Sequence, residues 1–259
     1  MTRARRLGLI SASLLLAGAV HAGPIQDNSF LLEEAYNQEA GVVQHITNVS
    51  FDDASDSWLG SFTQEWPAPT QRHQLGFTVT WQQQTLGGSA PGDLALNYRY
   101  QLLGSGESTV ALAPRLSLVL PAGGAGGVQG NLPLSVVLHE RWVTHVNVGA
   151  SFLRRAESDS GDRADLTAFN FGQSVVWLVR PRFNALVELV FTTAEEVVGP
   201  SATERVERLL VSPGVRWSHD LSSGLQIVPG IAVPLGLGPS SGERVVLFYL
   251  SFEHPFRAR

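Results

Sequence analysis

Apolar and polar side chains alternate at every second position through most of the chain after Gly41. In the stretch 94–102 the leucine and tyrosine side chains occupy one parity and polar or small residues the other, and the stretches 74–82, 144–152 and 225–235 repeat the pattern. Successive side chains of a β-strand point to opposite faces, whereas apolar residues of a helix recur every three or four positions. The chain is therefore predicted to consist of β-strands whose two faces meet different surroundings.

Clusters of turn-forming Gly, Pro, Asn, Asp and Ser divide the chain into twelve predicted strands. These strands span residues 41–51, 58–66, 72–83, 93–102, 109–120, 132–140, 143–154, 166–179, 183–193, 206–217, 224–235 and 244–254. Most are long enough to cross a bilayer at a tilt, which takes about 9–11 residues. Strands of soluble sandwiches are usually shorter, with about five or six residues.

The predicted connections alternate in length. The longer set covers residues 84–92, 121–131, 155–165, 194–205 and 236–243, and the shorter set covers residues 67–71, 103–108, 141–142, 180–182 and 218–223. Bacterial outer-membrane barrels have an even strand number, short periplasmic turns and longer outer loops. The pattern predicts an all-β fold for residues 41–259, a transmembrane antiparallel up-and-down β-barrel of about twelve strands, with both ends of the barrel chain in the periplasm.

The first 22 residues have the layout of a cleaved secretory signal peptide. Three arginines precede an uncharged apolar run, and small residues flank a cleavage point after Ala22. The apolar run is shorter than the roughly 18–20 residues of a membrane-spanning helix. The sequence therefore predicts export, and it predicts that residues 1–22 are absent from the mature protein.

Residues 23–40 break the two-residue alternation. Ser29 could cap a short helix that carries Glu33, Glu34 and Gln38 on its outer face and apolar residues on its inner face. This segment is predicted to lie in the periplasm or to plug the lumen of the barrel. An unstructured leader is the alternative.

The composition narrows the class of protein. The charged fraction is 16%, below the quarter that is typical of soluble domains, which favours an exterior that faces lipid. The chain contains no cysteine, so disulfides and thiol chemistry are excluded. Acidic residues outnumber basic ones by 23 to 18. Nucleic acid is therefore not an expected partner, since its binding needs a basic surface.

The last predicted strand is rich in aromatic residues on one parity. This face consists of Val246, Phe248, Leu250, Phe252 and Phe256. Outer-membrane proteins resemble one another in closing with such a strand, which the barrel-assembly machinery reads, although here three residues follow the final Phe. Tryptophans also lie near predicted strand ends, as in an interfacial girdle. The predicted partners are outer-membrane lipid, lipopolysaccharide and the barrel-assembly machinery.

Three strings in the sequence resemble a known family: NSFLLEEAYNQEAGVVQHI at residues 28–46, FTQEWP at 62–67 and YLSFEHPF at 249–256. They are similar to the opening and closing segments of exported proteins grouped as the MetA-pathway-of-phenol-degradation family. The strings bracket nearly all of the chain after the predicted signal peptide, and the middle matches only in pattern. The resemblance implies an outer-membrane channel with a link to aromatic catabolism.

Catalytic and metal-binding patterns are not evident in the sequence. Ser135 and His139 share a strand face, but four residues along a strand separate them by roughly 13 Å, too far for a nucleophile and its base. The seven histidines are dispersed and form no chelating pair along the chain. Acidic clusters in two predicted outer loops are best explained as solvated. The sequence favours a protein that is not an enzyme, has no metal site and needs no cofactor.

Eight polar residues lie on the parity opposite the apolar face: Arg99, Arg115, His145, Asn147, Asn170, Glu188, Arg208 and Arg216. A charge facing hydrocarbon at the bilayer midplane costs roughly 2–4 kcal/mol, so these side chains are predicted to line the lumen. They could border a water path and set its selectivity. Alternatively, they could pair with one another and fill the interior of a narrow barrel.

The sequence as a whole predicts a monomeric outer-membrane channel for passive passage of small solutes, with aromatic compounds as a candidate class through the family resemblance. Two alternatives stay open at this point. One is an outer-membrane barrel enzyme that acts on lipids, and the other is a soluble periplasmic β-rich binding protein.

Overall fold

The first and last strands pair with each other and close the sheet. Val42 lies opposite Pro255, and the antiparallel register continues to Asp52 opposite Val245. The computed structural model describes residues 26–255 except 54, 84–88, 123–124, 159 and 222–224. All strands in this part of the chain belong to one antiparallel sheet. Closure removes the sheet edges, so the wall is a barrel. The predicted signal peptide and Phe256 lie outside the described residues.

The strands follow one another around the barrel in chain order. They are β1 (Val42–Asp52), β2 (Ser57–Pro67), β3 (His73–Gln83), β4 (Ser89–Tyr100), β5 (Val110–Leu112), β6 (Arg115–Leu120), β7 (Gly126–His139), β8 (Trp142–Glu157), β9 (Arg163–Arg180), β10 (Phe183–Gly199), β11 (Ala202–Trp217), β12 (His219–Asp220), β13 (Gln226–Ala232), β14 (Leu235–Gly236) and β15 (Val245–Pro255). We call the rim that carries Val42 and Pro255 the terminal rim, and the opposite rim the far rim.

Two of the wall strands are interrupted. Pro114 lies between β5 and β6, and both pieces pair with β7. Pro234 lies between β13 and β14, and both pieces pair with β11. Proline cannot donate a hydrogen bond to the ladder, and each of the two interruptions contains one. Since β12 is a short extension of the β11–β13 turn, the wall has twelve strands. The predicted fold class is confirmed.

Several predicted connections are wrong, because the ladder continues through them. The predicted loop 194–205 belongs to β10 and β11, which are joined at Pro200 and Ser201, and Ser201 has a φ of 56°. Most of 155–165 extends β8 and β9, and 126–131 begins β7. Polar side chains at the far rim do not interrupt backbone pairing. The alternation in loop length is therefore not a property of the structure.

The outward faces of the strands carry a band of large apolar side chains. Leu116 is 60% exposed and Phe169 is 54% exposed, and similar residues lie all around the wall. Near the terminal rim, Trp142 and Trp177 stack with ring centroids 5.6 Å apart. A transmembrane barrel presents such a band, with aromatic residues at its margins, to lipid. Within the described part of the chain, no helix is long and apolar enough to cross a membrane.

Candidate functional site in the lumen

Residues 26–40, which we call the lumen segment, contact the inward faces of the strands. Ala35 is 0% exposed and Gln38 is 2% exposed. The segment leads directly into β1 at the terminal rim and contacts strands on both sides of the lumen. The predicted helix from Ser29 is wrong, since residues 26–40 contain no helix. The predicted outer position of Glu34 and Gln38 is wrong as well, because both side chains are buried.

The absence of a helix in this segment has a physical reason, since wall side chains accept its backbone N–H groups. Oε1 of Glu188, on β10, accepts from three consecutive N–H groups: Phe30 at 3.2 Å, Leu31 at 2.9 Å and Leu32 at 3.2 Å. A helix that began at Ser29 would leave these first-turn donors without a carbonyl partner in any case. The donors that it would use are further on, and here the N–H of Glu33 binds Asn147 and the N–H of Ala35 binds Ser135. The single buried carboxylate of Glu188 fixes the bend of the segment at residues 30–32.

Asn147 and Gln101 each bind the backbone of the segment in two directions. Asn147 accepts from the N–H of Glu33 at 3.0 Å and donates to its carbonyl at 2.8 Å. Gln101 accepts from the N–H of Asn37 at 3.0 Å and donates to the carbonyl of Ala35 at 2.8 Å. These amide pairs fix the register of the segment against β8 and against the chain just after β4.

The start of the segment is bound by β8, β10 and β11. Arg216 donates from Nη1 to the carbonyl of Asn28 at 2.6 Å, and Asn184 donates to the carbonyl of Gln26 at 3.0 Å. Nε2 of His145 lies 3.0 Å from the carbonyl oxygen of Asp27. Residues 26–28 are therefore attached to the side of the lumen opposite β2–β4.

Glu33 forms the main ionic contact between the segment and the wall. Its carboxylate lies 2.9 Å from Nη2 of Arg99 and 2.7 Å from Nη2 of Arg115, and it accepts from Asn131 at 2.9 Å. Burial acts to raise the pKa of Glu33, but the two guanidinium groups outweigh it and lower the pKa to about 2. Glu33 is therefore ionised over the whole physiological pH range.

Phe30 packs into an apolar site on the inner wall. Its ring meets the Tyr249 ring edge-on, with centroids 5.3 Å apart, and it clusters with Val176, Leu186, Ala232 and Leu247. Glycine is required beside it, because a Cβ at position 230 would lie 2.6 Å from the Phe30 ring. A side chain there would displace the ring.

The segment leaves a cavity of about 290 Å³ on the side of the lumen formed by β1–β4, β6 and β7. Its lining contains the lumen segment from Asn28 to Glu34 and the wall residues Ile46, Asn48, Thr63, Glu65, Thr78, Ala95, Asn97, Arg99, Arg115, Gln129 and Tyr249. Most of these wall side chains are polar. The segment therefore fills one side of the interior and leaves a polar cavity on the other.

Six of the eight predicted lumen residues contact the lumen segment, namely Arg99, Arg115, His145, Asn147, Glu188 and Arg216. Asn170 shares their inward parity and lies over Gly149, where an added Cβ would be 2.4 Å from its Oδ1. Arg208 is exposed and binds Glu243, with Nε 3.1 Å from Oε2. The structure does not bring Arg208 into the cluster. That these residues line a solute path stays a prediction.

The sequence did not identify six residues that join the lumen segment to the wall or line the cavity, namely Glu33, Glu65, Gln74, Gln101, Asn131 and Ser135. All except Gln101 and Glu33 lie within strands, on the same inward parity as the predicted residues. The residues within strands could have been found from the sequence by noting every amide and carboxylate side chain on the strand face that points into the lumen. Glu33 carried no such signal, because its partners come from strands that are distant in sequence.

Comparisons with known proteins bear on the fold. No family model matches the chain, and no curated protein matches it in sequence. Among solved structures, the NanC porin superposes with a TM-score of 0.55 at 7% identity, covering 83% of this chain and 100% of that one. The KdgM porin superposes with a TM-score of 0.53 at 10% identity, covering 83% and 99%.

An outer-membrane channel from Pseudomonas putida F1 gives a TM-score of 0.55 at 14% identity, covering 85% of this chain and 97% of that one. Identities this low show a shared fold and no more. The chain therefore has the fold of outer-membrane β-barrels.

Proposed function

We propose that this protein is an outer-membrane channel that gives small solutes passive passage, with a lumen narrowed by residues 26–40. The observation that carries the proposal is the polar cavity of about 290 Å³ inside a closed barrel whose exterior is apolar. A barrel that only anchored the protein could fill its interior with side chains, as narrow barrels do. Here a separate segment occupies part of the lumen and leaves a polar space beside it.

Several further features of the proposal follow from the sequence. Export through a cleaved signal peptide at residues 1–22, insertion by the barrel-assembly machinery and contact with lipopolysaccharide are the ordinary route and surroundings of such a barrel. The closed sheet leaves no unpaired edge for a second copy to extend, which supports a monomer.

The domain division carries over as part of the proposal. Residues 23–40 would act as a plug rather than as a periplasmic extension, and residues 41–259 would form the channel wall. The many hydrogen bonds between the segment backbone and buried wall side chains support this choice. Of the predicted lumen residues, Arg99 and Arg115 would both hold the segment and border the remaining space. The other predicted residues that contact the segment, His145, Asn147, Glu188 and Arg216, would hold it in place.

Aromatic solutes belong to the proposal through resemblance alone. The strings at residues 28–46, 62–67 and 249–256 are similar to the MetA-pathway-of-phenol-degradation family, whose name suggests aromatic catabolism. The cavity itself offers the rings of Phe30 and Tyr249 on one side and polar groups on the others.

A lipid-directed enzyme is the second candidate, because the structure does bring a serine, a histidine and an aspartate together. Oγ of Ser135 lies 2.7 Å from Nδ1 of His145, and Nε2 of His145 lies 3.9 Å from the Asp27 carboxylate. However, Ser135 also accepts the N–H of Ala35 at 2.7 Å, and His145 is 0% exposed. The lumen segment covers this serine, so an acyl group could not reach it without displacing the segment.

The test is single-channel recording of the refolded mature chain in a planar bilayer, with Glu188→Ala beside it. We expect stepwise conductance in the native protein and a larger or more frequently open state in Glu188→Ala, because the segment loses its main acceptor. A barrel that inserts and stays silent in both forms would contradict the channel. Labelling of Ser135 by a fluorophosphonate probe would favour the enzyme instead.

A further inference from the structure

The cavity beside the lumen segment has a charged floor and neutral polar walls. Glu33, Glu65, Arg99 and Arg115 form the floor. The walls toward the far rim contain Asn48, Thr63, Thr78, Asn97 and Gln129. A volume of about 290 Å³ is at the lower end of the range of small-molecule sites, roughly 300–1,000 Å³. It suits a small solute and not an oligomer.

Both guanidinium groups of the floor are bound by the protein itself, although Nε of Arg99 has no hydrogen-bond partner among the described residues. Arg99 donates from Nη2 to Glu33 at 2.9 Å and from Nη1 to the carbonyl of Tyr36 at 3.2 Å. Arg115 donates from Nε to Glu33 at 2.8 Å and from Nη2 to Gln129 at 3.1 Å. An anion that entered the cavity would have to compete with the Glu33 carboxylate for these donors.

The carboxylate of Glu65, in contrast, has one oxygen that no protein group binds among the described residues. Glu65 is 7% exposed, and its Oε2 accepts from Nε2 of Gln74 at 2.9 Å. Among the residues that the structure describes, no hydrogen bond reaches its Oε1 and no basic side chain forms an ion pair with it. Glu65 lines the cavity, and its Oε1 is not among the fully buried atoms that lack a partner, so this oxygen is accessible from the cavity. A ligand that donates a hydrogen bond or carries a positive charge could bind it without displacing a protein group.

The groups around Glu65 also favour a ligand that donates hydrogen bonds or carries a positive charge. Thr63 and Thr78 lie next to it toward the far rim, and their hydroxyl groups hydrogen-bond to each other at 2.9 Å. Three carboxylates line the cavity, from Glu33, Glu34 and Glu65, against two guanidinium groups. The net charge of the lining is therefore negative, and among the described residues Glu65 is the lining carboxylate that has no guanidinium within ion-pair distance.

We propose that the cavity is a binding site for small solutes that carry an ammonium group, or several hydroxyl donors, and that Glu65 determines this preference over anions. The proposal rests on the channel function proposed above, since it names the class of solute that the channel prefers. The ammonium group would contact Oε1 of Glu65, and the threonine hydroxyls and Asn97 would bind the remainder of the solute.

The first test is the reversal potential of the refolded mature chain under a tenfold KCl gradient. We expect cations to permeate about 25-fold better than anions, because one negative charge at about 4 Å in a water-like dielectric favours a cation and disfavours an anion by about fivefold each. The ratio should fall towards one in Glu65→Gln, which keeps an acceptor for Gln74. Glu107→Gln is the matched control, because it removes one exposed carboxylate outside the cavity.

The second test does not depend on conduction. Ligand-observed NMR on the protein in micelles compares ethanolammonium, acetate and glycerol, and we expect a saturation-transfer signal for ethanolammonium that Glu65→Gln removes and Glu107→Gln leaves unchanged. A signal for acetate as strong as for ethanolammonium, or an anion-selective current, would overturn this proposal while leaving a channel. Ethanolammonium binding to a barrel that conducts nothing would support the site and contradict the channel function.

Discussion

Nη2 of Arg115 lies 2.7 Å from the carboxylate of Glu33, and this contact joins the inner wall to a segment that is 82 positions earlier in the chain. Arg99 binds the same carboxylate from the neighbouring strand β4 at 2.9 Å. The lumen segment is thus attached by charge on one side and by backbone hydrogen bonds to Glu188 and Asn147 on the other. The lumen segment can be released only if both the ionic contacts and the backbone hydrogen bonds break.

Replacing Glu33 by Gln should loosen the segment. Hydrogen bonds to charged groups contribute about 1.5–3 kcal/mol each, but the Glu33 side chain is 25% exposed, so we expect a net loss of about 2 kcal/mol. The chain has no cysteine, so Ala35→Cys supplies a single buried thiol as a reporter. Its reaction with a water-soluble maleimide should be about 30-fold faster with Glu33→Gln.

The matched control for this substitution is Glu39→Gln. It makes the same chemical change in the same segment at an exposed position, and the thiol should react at the unmodified rate. Equal rates for Glu33→Gln and Glu39→Gln would show that the ionic contact does not hold the segment.

The contribution of Glu33 to the free energy of unfolding should persist at moderately acidic pH. Its folded pKa of about 2 lies below the ordinary value of 4.5, so the unfolded chain takes up the proton first as the pH falls. The stabilisation is therefore complete above about pH 4.5 and is lost as the pH approaches 2. The difference in unfolding free energy between the native chain and Glu33→Gln, measured by urea titration, should be constant from pH 7 to 5 and then shrink. A difference that vanished already at pH 5 would contradict the assigned pKa.

Gly230→Val should displace Phe30 from its site. A Cβ at this position would lie 2.6 Å from the Phe30 ring and 3.0 Å from Cγ of Arg216, and overpacking of this kind costs about 1–3 kcal/mol. We expect faster modification of the Ala35→Cys thiol and a higher open probability in the bilayer. Gly130→Val serves as the control, since its Cβ would meet nothing within 4 Å. If both variants behave alike, the packing of Phe30 does not hold the segment.

Leu116→Arg should test the outer face of the wall. Leu116 is 60% exposed and lies in the middle of the wall strand that β5 and β6 form. Arginine facing lipid near the midplane costs about 2–4 kcal/mol and about 0–1 near the interface. The free energy of folding into lipid vesicles should therefore become less favourable by about 2–4 kcal/mol in Leu116→Arg. Leu102→Arg, beyond the end of β4, should have a small effect. Equal effects would place the apolar band outside the membrane.

The period-two pattern was sufficient for the architecture because it depends on the local geometry of a strand. It placed Glu188, Asn147 and Arg216 on one type of face, and in the structure all three contact the lumen segment, although the sequence did not show these partners. It failed for residues 26–40, where wall side chains accept the N–H groups of Glu33 and Ala35, which a helix from Ser29 would have directed to its own carbonyls. The helical pattern from Ser29 was real in the sequence, but these tertiary hydrogen bonds decided the conformation.

The pairing of Ser135 with His145 shows the same limit. Sequence spacing compared Ser135 with His139 on its own strand, whereas the actual neighbour is on β8, in direct register across the ladder. Register between strands depends on turn geometry and on the closure of the whole barrel. The face of a residue could be predicted, but its neighbours could not.

The attachment of the lumen segment has a consequence for the order of folding. Residues 26–32 find their acceptors and donors on Ser174, Glu188 and Arg216, which belong to the second half of the chain. The seam between β1 and β15 needs the final strand as well. Contacts of such long sequence separation form late. The part of the wall chain that emerges first during synthesis is therefore among the last to reach its native neighbours, and the interior is completed only when the barrel is.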